Sequence, residues 1–126
     1  GGYPGGSSYI SSAEVYDPAT NTWTTPNSMA TTRGLLTATL LPSGKVLVSG
    51  GYNYTEYDPD TDAAYRNFYY STDMYDPGTN SWSAAAAMPT PRYQHTATLL
   101  LSGRLLITGG IDSSGSYLNS SVVYTP

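Results

Sequence analysis

The sequence contains no cysteine and little charge. Charged residues make up 11% of its 126 residues, and five Lys or Arg against nine Asp or Glu give a net charge of −4. Without cysteine there can be no disulfide framework and no thiolate metal or redox site. The scattered cations argue against nucleic acid as a partner, because phosphate binding requires clustered Lys and Arg. We therefore predict no nucleic-acid partner.

Long apolar runs and a second histidine are also missing. No segment approaches the roughly 20 apolar residues that a membrane helix needs, so no membrane span is expected. His95 is the only histidine, and it is expected to pack or to form hydrogen bonds rather than to act as a catalytic base. No partners for a Ser–His triad can be named. The sequence therefore predicts no catalytic residue, no metal and no cofactor, and the chain by itself is not expected to be an enzyme.

What the chain does contain is a repeat. Residues 15–23 (VYDPATNTW) recur 59 residues later as residues 74–82 (MYDPGTNSW), and Arg92 follows Arg33 at the same distance. From a glycine pair to the next framework tyrosine there are 14 residues in the first and last copies, but 24 from Gly51 to Tyr75. The period is therefore about 49, with about ten residues inserted in the middle copy, and each copy is expected to be one supersecondary unit.

Alternation and turn residues divide each copy into four short strands. Asp-Pro opens one turn and Ser-Gly another, and Asn21 and Asn80 tolerate the unusual dihedral that such turns require. No helical period is present, so the fold class is all-β, built of four-stranded antiparallel sheets. The predicted first strands are 37–41 and 96–100, the second strands 45–49 and 104–108, and the third strands 13–16, 72–75 and 122–124, with Trp23 or Trp82 in the fourth.

These residues resemble the kelch repeat, in which an apolar strand ends in Gly-Gly and is followed by a Tyr and then a Trp. The resemblance extends over nearly the whole chain and implies blades of a β-propeller packed around a central channel. The repeated residues are then structural, and both tryptophans are expected to be buried between blades, so that Trp→Ala would cost about 3 to 5 kcal/mol. The structural residues are Gly50, Gly51, Tyr75, Trp82, Gly109, Gly110, Tyr16 and Trp23.

The copies make an incomplete propeller of about two and a half repeats. Residues 1–27 are interpreted as a partial blade with the third and fourth strands, 28–84 as a complete blade with an inserted loop at 52–71, and 85–126 as a blade lacking its fourth strand. Open sheet edges recruit other chains. Three explanations remain open: a fragment of a longer propeller, several chains completing one ring, or copies stacked head to tail into a filament.

The insertion is the best candidate for a binding site, because it belongs to one copy only. Tyr-rich loops on a rigid scaffold offer stiff contact area and adaptable hydrogen bonding. We expect it to bind a protein or carbohydrate surface, although its rings could instead cover a neighbouring blade. The predicted binding residues are Tyr52, Tyr54, Tyr57, Tyr65, Arg66, Tyr69 and Tyr70.

Two weaker motifs lie in the same kind of loop. Asn53 and Asn119 each begin an Asn-x-Ser/Thr triplet, which predicts glycosylation if the chain is secreted in a eukaryote. Residues 58–62 (DPDTD) place carboxylates at alternate positions, as calcium loops do, but the EF-hand pattern would need Gly where Ala63 stands and Glu where Tyr69 stands. The stretch is therefore interpreted as a turn and not as a metal site.

Composition favours an extracellular or cell-surface protein, since Ser, Thr, Gly and Tyr are abundant and Lys is scarce. The resulting hypothesis is a secreted recognition or assembly module. The alternative is a noncatalytic fragment of a carbohydrate-active enzyme, or of a copper-radical oxidase of the galactose-oxidase type, whose Cys-linked Tyr and two His ligands this chain lacks. An intracellular adaptor, as in some kelch proteins, is disfavoured by composition.

Overall fold

The computed structural model describes residues 1–5, 8–58, 60 and 63–126, together with the side chains of all of these except 55–58, 63 and 64. The described residues form antiparallel sheets without a helix, which confirms the all-β prediction. No helix in this part of the chain is long and apolar enough to cross a membrane. The strands are β1 (Val15–Asp17), β2 (Thr22–Thr24), β3 (Thr37–Leu40), β4 (Val46–Ser49), β5 (Tyr52–Asp58), β6 (Ala63–Phe68), β7 (Thr72–Asp76), β8 (Ser81–Ala85), β9 (Thr96–Leu99), β10 (Leu105–Thr108) and β11 (Ser121–Tyr124).

Strands of neighbouring repeats occupy equivalent places in successive sheets. A first sheet consists of β1 and β2, a second has the order β3-β4-β7-β8, and a third has the order β11-β10-β9. In the second sheet Leu47 of β4 lies opposite Thr39 on one side and Met74 on the other. The central strands are apolar because they are covered on both faces.

The Asp-Pro turns have the predicted geometry. Asn21 and Asn80 have positive φ angles of 55° and 49°. Asn tolerates this region because its short polar side chain can hydrogen-bond locally, and here the hydroxyls of Tyr16 and Tyr75 donate to the two Asn side-chain oxygens at 2.8 and 3.2 Å. The repeated Tyr and Asn therefore hold one turn together in each copy.

The glycine pair that ends β4 meets two constraints at once. Gly50 and Gly51 have φ angles of 59° and 91°, which side chains other than glycine rarely adopt. A Cβ on Gly51 would also lie 2.6 Å from the carbonyl oxygen of Gly34, and one on Gly50 would collide with the carbonyl of Arg92. Backbones from neighbouring sheets thus meet closely at this point.

The main apolar core lies between the second and third sheets. Leu41 and Leu47 from the second sheet pack against residues of the third repeat. All of the core side chains are less than a tenth exposed. Because each sheet contributes only one layer, neither buries its apolar face without the other. The core residues are Leu41, Leu47, Met88, Leu105 and Ile107.

A buried arginine precedes the first strand of the second and third sheets. Nη1 of Arg33 donates to the carbonyl oxygens of Gly50 and Ser71 at 3.3 and 3.2 Å. Arg92 repeats the arrangement with Gly109 and Ser120 at 2.8 and 3.2 Å. Burial lowers the pKa of both guanidinium groups, although at Arg33 the Asp73 carboxylate and Tyr69 oppose the effect. Each arginine joins the glycine pair to the start of the third strand of its sheet.

The two tryptophans differ, and the expectation that both would be buried is wrong for Trp23. Trp82 is partly buried, and its Nε1 donates to the carbonyl oxygen of Asn27 at 2.6 Å. The Trp23 side chain is 66% exposed, although it packs on Tyr16 at 5.1–5.2 Å ring spacing as Trp82 packs on Tyr75. Between the first and second sheets there is a cavity of about 510 Å³, which Trp23 and Trp82 both line. The packing between the first and second sheets thus leaves more empty space than the core between the second and third sheets.

The insertion in the middle repeat, which was predicted to be a loop, is a β-hairpin. Strands β5 and β6 pair antiparallel from Tyr52 opposite Phe68 to Asp58 opposite Ala63, with an irregularity between Thr55 and Asp58. The segment mixes aromatic and polar residues without a clean alternation, so its strand character is weak in sequence. Strand β6 ends at Phe68, and the framework strand β7 begins at Thr72.

Candidate functional site

The hairpin extends a smaller hairpin that the third repeat also has. There, Ile111 pairs with Tyr117 across a five-residue turn in which the Asp112 carboxylate accepts from the Ser114 and Ser116 amides at 2.8 and 3.0 Å. Tyr52 and Phe68 hold the positions equivalent to Ile111 and Tyr117, one residue after the glycine pair and seven before the framework tyrosine. The ten extra residues therefore lengthen an existing element and leave its base unchanged.

Two backbone hydrogen bonds fix the base of the hairpin to the strand entrance of the same repeat. The Tyr52 amide donates to the carbonyl of Gly34 at 3.0 Å, and the Gly34 amide donates back to Tyr52 at 2.9 Å. Tyr93 and Ile111 make the same pair of bonds in the third repeat, at 3.1 and 2.9 Å. The start of β5 is thus hydrogen-bonded to the framework in the same way as the start of the shorter hairpin in the third repeat.

A group of aromatic rings in contact runs across the base of the hairpin and joins three repeats. Tyr52 stacks on Phe68 with ring centroids 5.7 Å apart and an interplanar angle of 18°. Tyr93 contacts both rings, at 5.0 and 5.7 Å. On the opposite side Tyr9 contacts Tyr52 at 5.2 Å, and burial, with Tyr52 nearby, raises the pKa of the Tyr9 phenol. Aromatic pairs at these distances stabilise packing beyond the area they bury.

Above these rings lies an open groove of about 320 Å³. We call it the aromatic groove, and its walls are Tyr52, Tyr54, Arg66, Phe68 and Tyr93. Tyr54 and Arg66 are directly opposite on β5 and β6, and the guanidinium carbon of Arg66 lies 5.7 Å from the centre of the Tyr54 ring. Among the described residues Arg66 has no ion-pair partner. The groove thus combines aromatic walls with one exposed positive charge.

The other face of the hairpin is polar and serves partly as structure. The Asn53 amide nitrogen donates to Thr32 Oγ1 at 2.7 Å, and the Asn67 amide nitrogen donates to Asn53 Oδ1 at 3.1 Å. Both ends of the Asn53 amide are therefore engaged. Tyr65 lies nearer the tip and its side chain is 57% exposed.

Two of the predicted binding residues belong to the junction with the framework. The guanidinium of Arg33 lies 4.7 Å from the centre of the Tyr69 ring, and burial raises the pKa of the Tyr69 phenol while Arg33 opposes this. The Tyr69 amide also donates to the carbonyl of Gly51 at 2.9 Å. Tyr70 is 56% exposed, but its backbone carbonyl accepts from the Met88 amide at 2.8 Å. Tyr69 is thus a packing residue, and only Tyr70 offers a free ring.

His95 sits between two sheets, away from the aromatic groove. Its Nε2 lies 2.8 Å from Thr37 Oγ1 and 3.2 Å from Ser49 Oγ, and the side chain is 6% exposed. Burial, with the Arg92 charge as the second cause, lowers the pKa of His95 to about 4. Ser49 is buried too, so the pair is closed to a substrate. The histidine joins the second and third sheets through hydrogen bonds.

Comparisons with known proteins agree with this repeat. The model of the Kelch motif matches residues 1–30. Kelch-like protein 33 of Homo sapiens is 27% identical over 95% of this chain, and Kelch-like protein 15 of Gallus gallus is 33% identical over 80%. Kelch-like protein terF of Aspergillus terreus is 29% identical over 86%. The chain is built of kelch repeats.

These kelch proteins are far longer than the chain, which spans 18 to 23% of their length. Among solved structures, a fungal alcohol oxidase of the AA5 family in complex with copper superposes with a TM-score of 0.64 at 24% identity. That match covers 85% of this chain and 22% of the oxidase. At this identity the likeness shows the fold, and the sheets described here are accordingly part of a β-propeller.

On this kelch scaffold the structure unites some predicted site residues and separates others. Tyr52, Tyr54 and Arg66 meet in the aromatic groove, whereas Tyr65 lies on the opposite face. The Tyr57 side chain lies outside the described residues, as do Pro59, Thr61 and Asp62 of the 58–62 stretch. In the rest of the chain, no cluster of His, Asp or Glu could hold a metal ion.

Tyr93 is the groove residue that sequence reasoning missed. It belongs to the third repeat, 59 residues after Gly34. Gly34 has no space for a side chain, because a Cβ there would lie 2.5 Å from the Tyr9 ring. A large aromatic residue at a place where the preceding copy has glycine was the available signal.

Proposed function

We propose that this kelch module binds a protein partner and that the β5–β6 hairpin supplies the contact. The observation that supports the proposal is the aromatic groove, whose walls Tyr54 and Arg66 belong to the insertion that only the middle repeat has. Its floor rests on stacked rings fixed by backbone hydrogen bonds, while Tyr54 and Arg66 rise from it on paired strands. A rigid aromatic platform with an exposed guanidinium is typical of residues that dominate protein interfaces.

A carbohydrate is the second candidate ligand, because the ring faces of Tyr52 and Tyr54 could stack on a sugar. The groove volume of about 320 Å³ is at the lower end of small-ligand sites. Arg66 would then bind a sugar hydroxyl or carboxylate. Protein is preferred because Tyr65 and Tyr70 add exposed rings on either side, beyond the reach of one sugar unit.

The test is a parallel selection on a random peptide display library and a glycan array, using the wild type and two groove variants. Tyr54→Ala and Tyr93→Ala should each lose the ligands that the wild type enriches. Tyr117→Ala is the matched control, since Tyr117 is exposed and lies outside the groove. If the groove variants retain the same ligands as Tyr117→Ala, the groove is not the binding site.

We also propose an extracellular or cell-surface setting, and this proposal rests on composition. We further propose that the chain associates with further repeats or with other chains, because the first and third sheets have open edges. The alternative origin, a noncatalytic portion of an oxidase, is favoured by the fold likeness to the AA5 alcohol oxidase. Sedimentation at micromolar concentration tests association with other chains, and a folded monomer would refute that form of association. Cys and His ligands encoded beside this segment would favour the oxidase.

A further inference from the structure

Within the part of the chain that the structure describes, backbone groups on the outer edge of β6 have no partner, and their direction follows from the bonds at the hairpin base. Tyr52 uses its amide and its carbonyl on Gly34, away from β6. The pair Tyr52–Phe68 is therefore a non-hydrogen-bonded pair, and such pairs alternate along an antiparallel ladder. Phe68 and, two residues away, Arg66 thus point their own amides and carbonyls away from β5.

None of these four backbone groups has a partner among the described backbone hydrogen bonds outside the ladders. The edge is paired only further along, where the Tyr70 carbonyl accepts from the Met88 amide at 2.8 Å. No such bond joins Phe68 or Arg66 to the segment around Met88 among the described residues. Pairing between this segment and the β6 edge therefore begins at Tyr70, and the next two outward-facing positions of the edge, Phe68 and Arg66, are left open.

A shallow cavity of about 600 Å³, widely open to solvent, lies where this pairing stops. One wall is the end of β6 with the two residues that follow it (66–70), and the facing wall is the segment 87–91; Ser113 of the third repeat also lines the cavity. Pro89 and Pro91 in the facing wall have no amide hydrogen, so this wall has little to offer the strand edge.

We propose that an extended, acidic peptide segment of the partner protein adds as a strand to the β6 edge within this cavity. Its backbone pairs with Phe68 and Arg66, as in other complexes formed by strand addition. This inference rests on the proposed function and names the form that the partner takes. It places the peptide beside the hairpin, on the side away from β5.

The acidic character follows from Arg66. Its side chain is exposed, has no ion pair among the described residues, and lines both this cavity and the aromatic groove. A peptide carboxylate that reached it would form a charge-assisted hydrogen bond. Peptide side chains on one face of the added strand would meet Tyr70 and Pro89, and those on the other face would meet solvent or the groove.

The probe is a fluorescein-labelled pentapeptide in which Val and Glu alternate, measured by fluorescence anisotropy on the intact chain. In a paired strand only every second amide faces the partner strand. Two N-methylated forms are therefore compared, one methylated at the Glu amides and one at the Val amides. One form should bind within about twofold of the parent, and the other about tenfold or more weaker. Equal binding of both forms, or no binding of the parent at about 1 mM, would overturn strand addition.

Hydrogen exchange supplies the direct readout. In the free chain the amides of Arg66 and Phe68 should exchange quickly while that of Asn67, which faces β5, is protected; saturating peptide should slow Arg66 and Phe68. Arg66→Ala should weaken the Val–Glu peptide about tenfold and leave a Val–Gln peptide unchanged. Equal effects on both peptides would overturn the acidic preference.

The result separates the two proposals. If the groove variants Tyr54→Ala and Tyr93→Ala lose selected ligands while the amides of Arg66 and Phe68 keep exchanging quickly, the hairpin binds its partner without strand addition. If neither the groove variants nor the amides respond to any ligand, the recognition function itself fails.

Discussion

The guanidinium Nη2 of Arg33 lies 2.9 Å from the carboxylate Oδ2 of Asp73, in a pair that is almost fully buried. In the third repeat Arg92 is buried to the same degree, but Val122 stands where the second repeat has Asp73. Carbonyl oxygens and the Ser120 hydroxyl stabilise that charge instead. The charge of the framework arginine is thus balanced by a carboxylate in the second sheet, whereas in the third sheet hydrogen bonds stabilise it.

Removing the carboxylate of Asp73 should be strongly destabilising, because it leaves the Arg33 charge buried without a counterion. Asp73→Asn is expected to lower the free energy of unfolding by about 3 kcal/mol, measured by urea denaturation. The control is Asp76→Asn, which breaks the more exposed pair with Lys45 at 3.0 Å and should cost much less, because solvent screens that pair. Equal losses in the two variants would contradict this account of the buried pair.

Acid should loosen the contact between the second and third sheets through His95. Its pKa is held near 4 in the folded chain against about 6.5 when unfolded, so protons bind preferentially to the unfolded state. His95 therefore has no effect on stability above about pH 6.5 and destabilises increasingly as pH falls towards 4, by about 3 kcal/mol in total. His95→Leu, which introduces the residue that the second repeat has at the equivalent position, Leu36, should remove this part of the pH dependence. Identical stability profiles of the two proteins between pH 7 and 4 would refute the assignment.

The tryptophans should differ in their contribution to stability. Trp82→Ala removes a partly buried ring and the hydrogen bond to the Asn27 carbonyl, and should cost about 3 kcal/mol. Trp23→Ala removes a largely exposed ring and should cost about 1 kcal/mol or less. Thermal melts of the two variants give the comparison. A larger loss for Trp23→Ala would mean that the first sheet is packed differently from the structure described here.

Of the two glycosylation triplets, only the one at Asn119 suits the folded chain. Asn119 is exposed, whereas the Asn53 amide nitrogen donates to Thr32 and would lose that bond if it carried a glycan. When the chain is secreted from eukaryotic cells, Asn119→Gln should abolish the mass that an N-glycosidase removes. Asn53→Gln should leave that mass unchanged. Loss of the glycan mass in Asn53→Gln alone would reverse the assignment.

The framework can be predicted from the sequence because its residues recur in more than one copy of the repeat. Strand positions, the positive φ of Asn21 and Asn80 and the closed space around Gly51 each follow from residues that two copies share. The insertion occurs once and its hairpin faces solvent widely, so no apolar alternation indicates its strands. The candidate binding residues of the insertion could be named from the sequence, but their distribution over the two faces of the hairpin could not. Tyr65 and Arg66, for example, are adjacent in sequence but lie on opposite faces.

Replacement of the hairpin by its short counterpart tests the account most directly. Residues 53–67 are exchanged for the five residues 112–116 of the third repeat, which keeps Tyr52 and Phe68 and restores the shorter spacing from Gly51 to Tyr75. Peptide binding and thermal melting are then measured together on the same protein. We predict a melting temperature within a few degrees of the wild type and complete loss of ligand binding. A chain that still binds the selected ligands, or that unfolds, would contradict the view of the hairpin as a recognition element added to a kelch framework that folds without it.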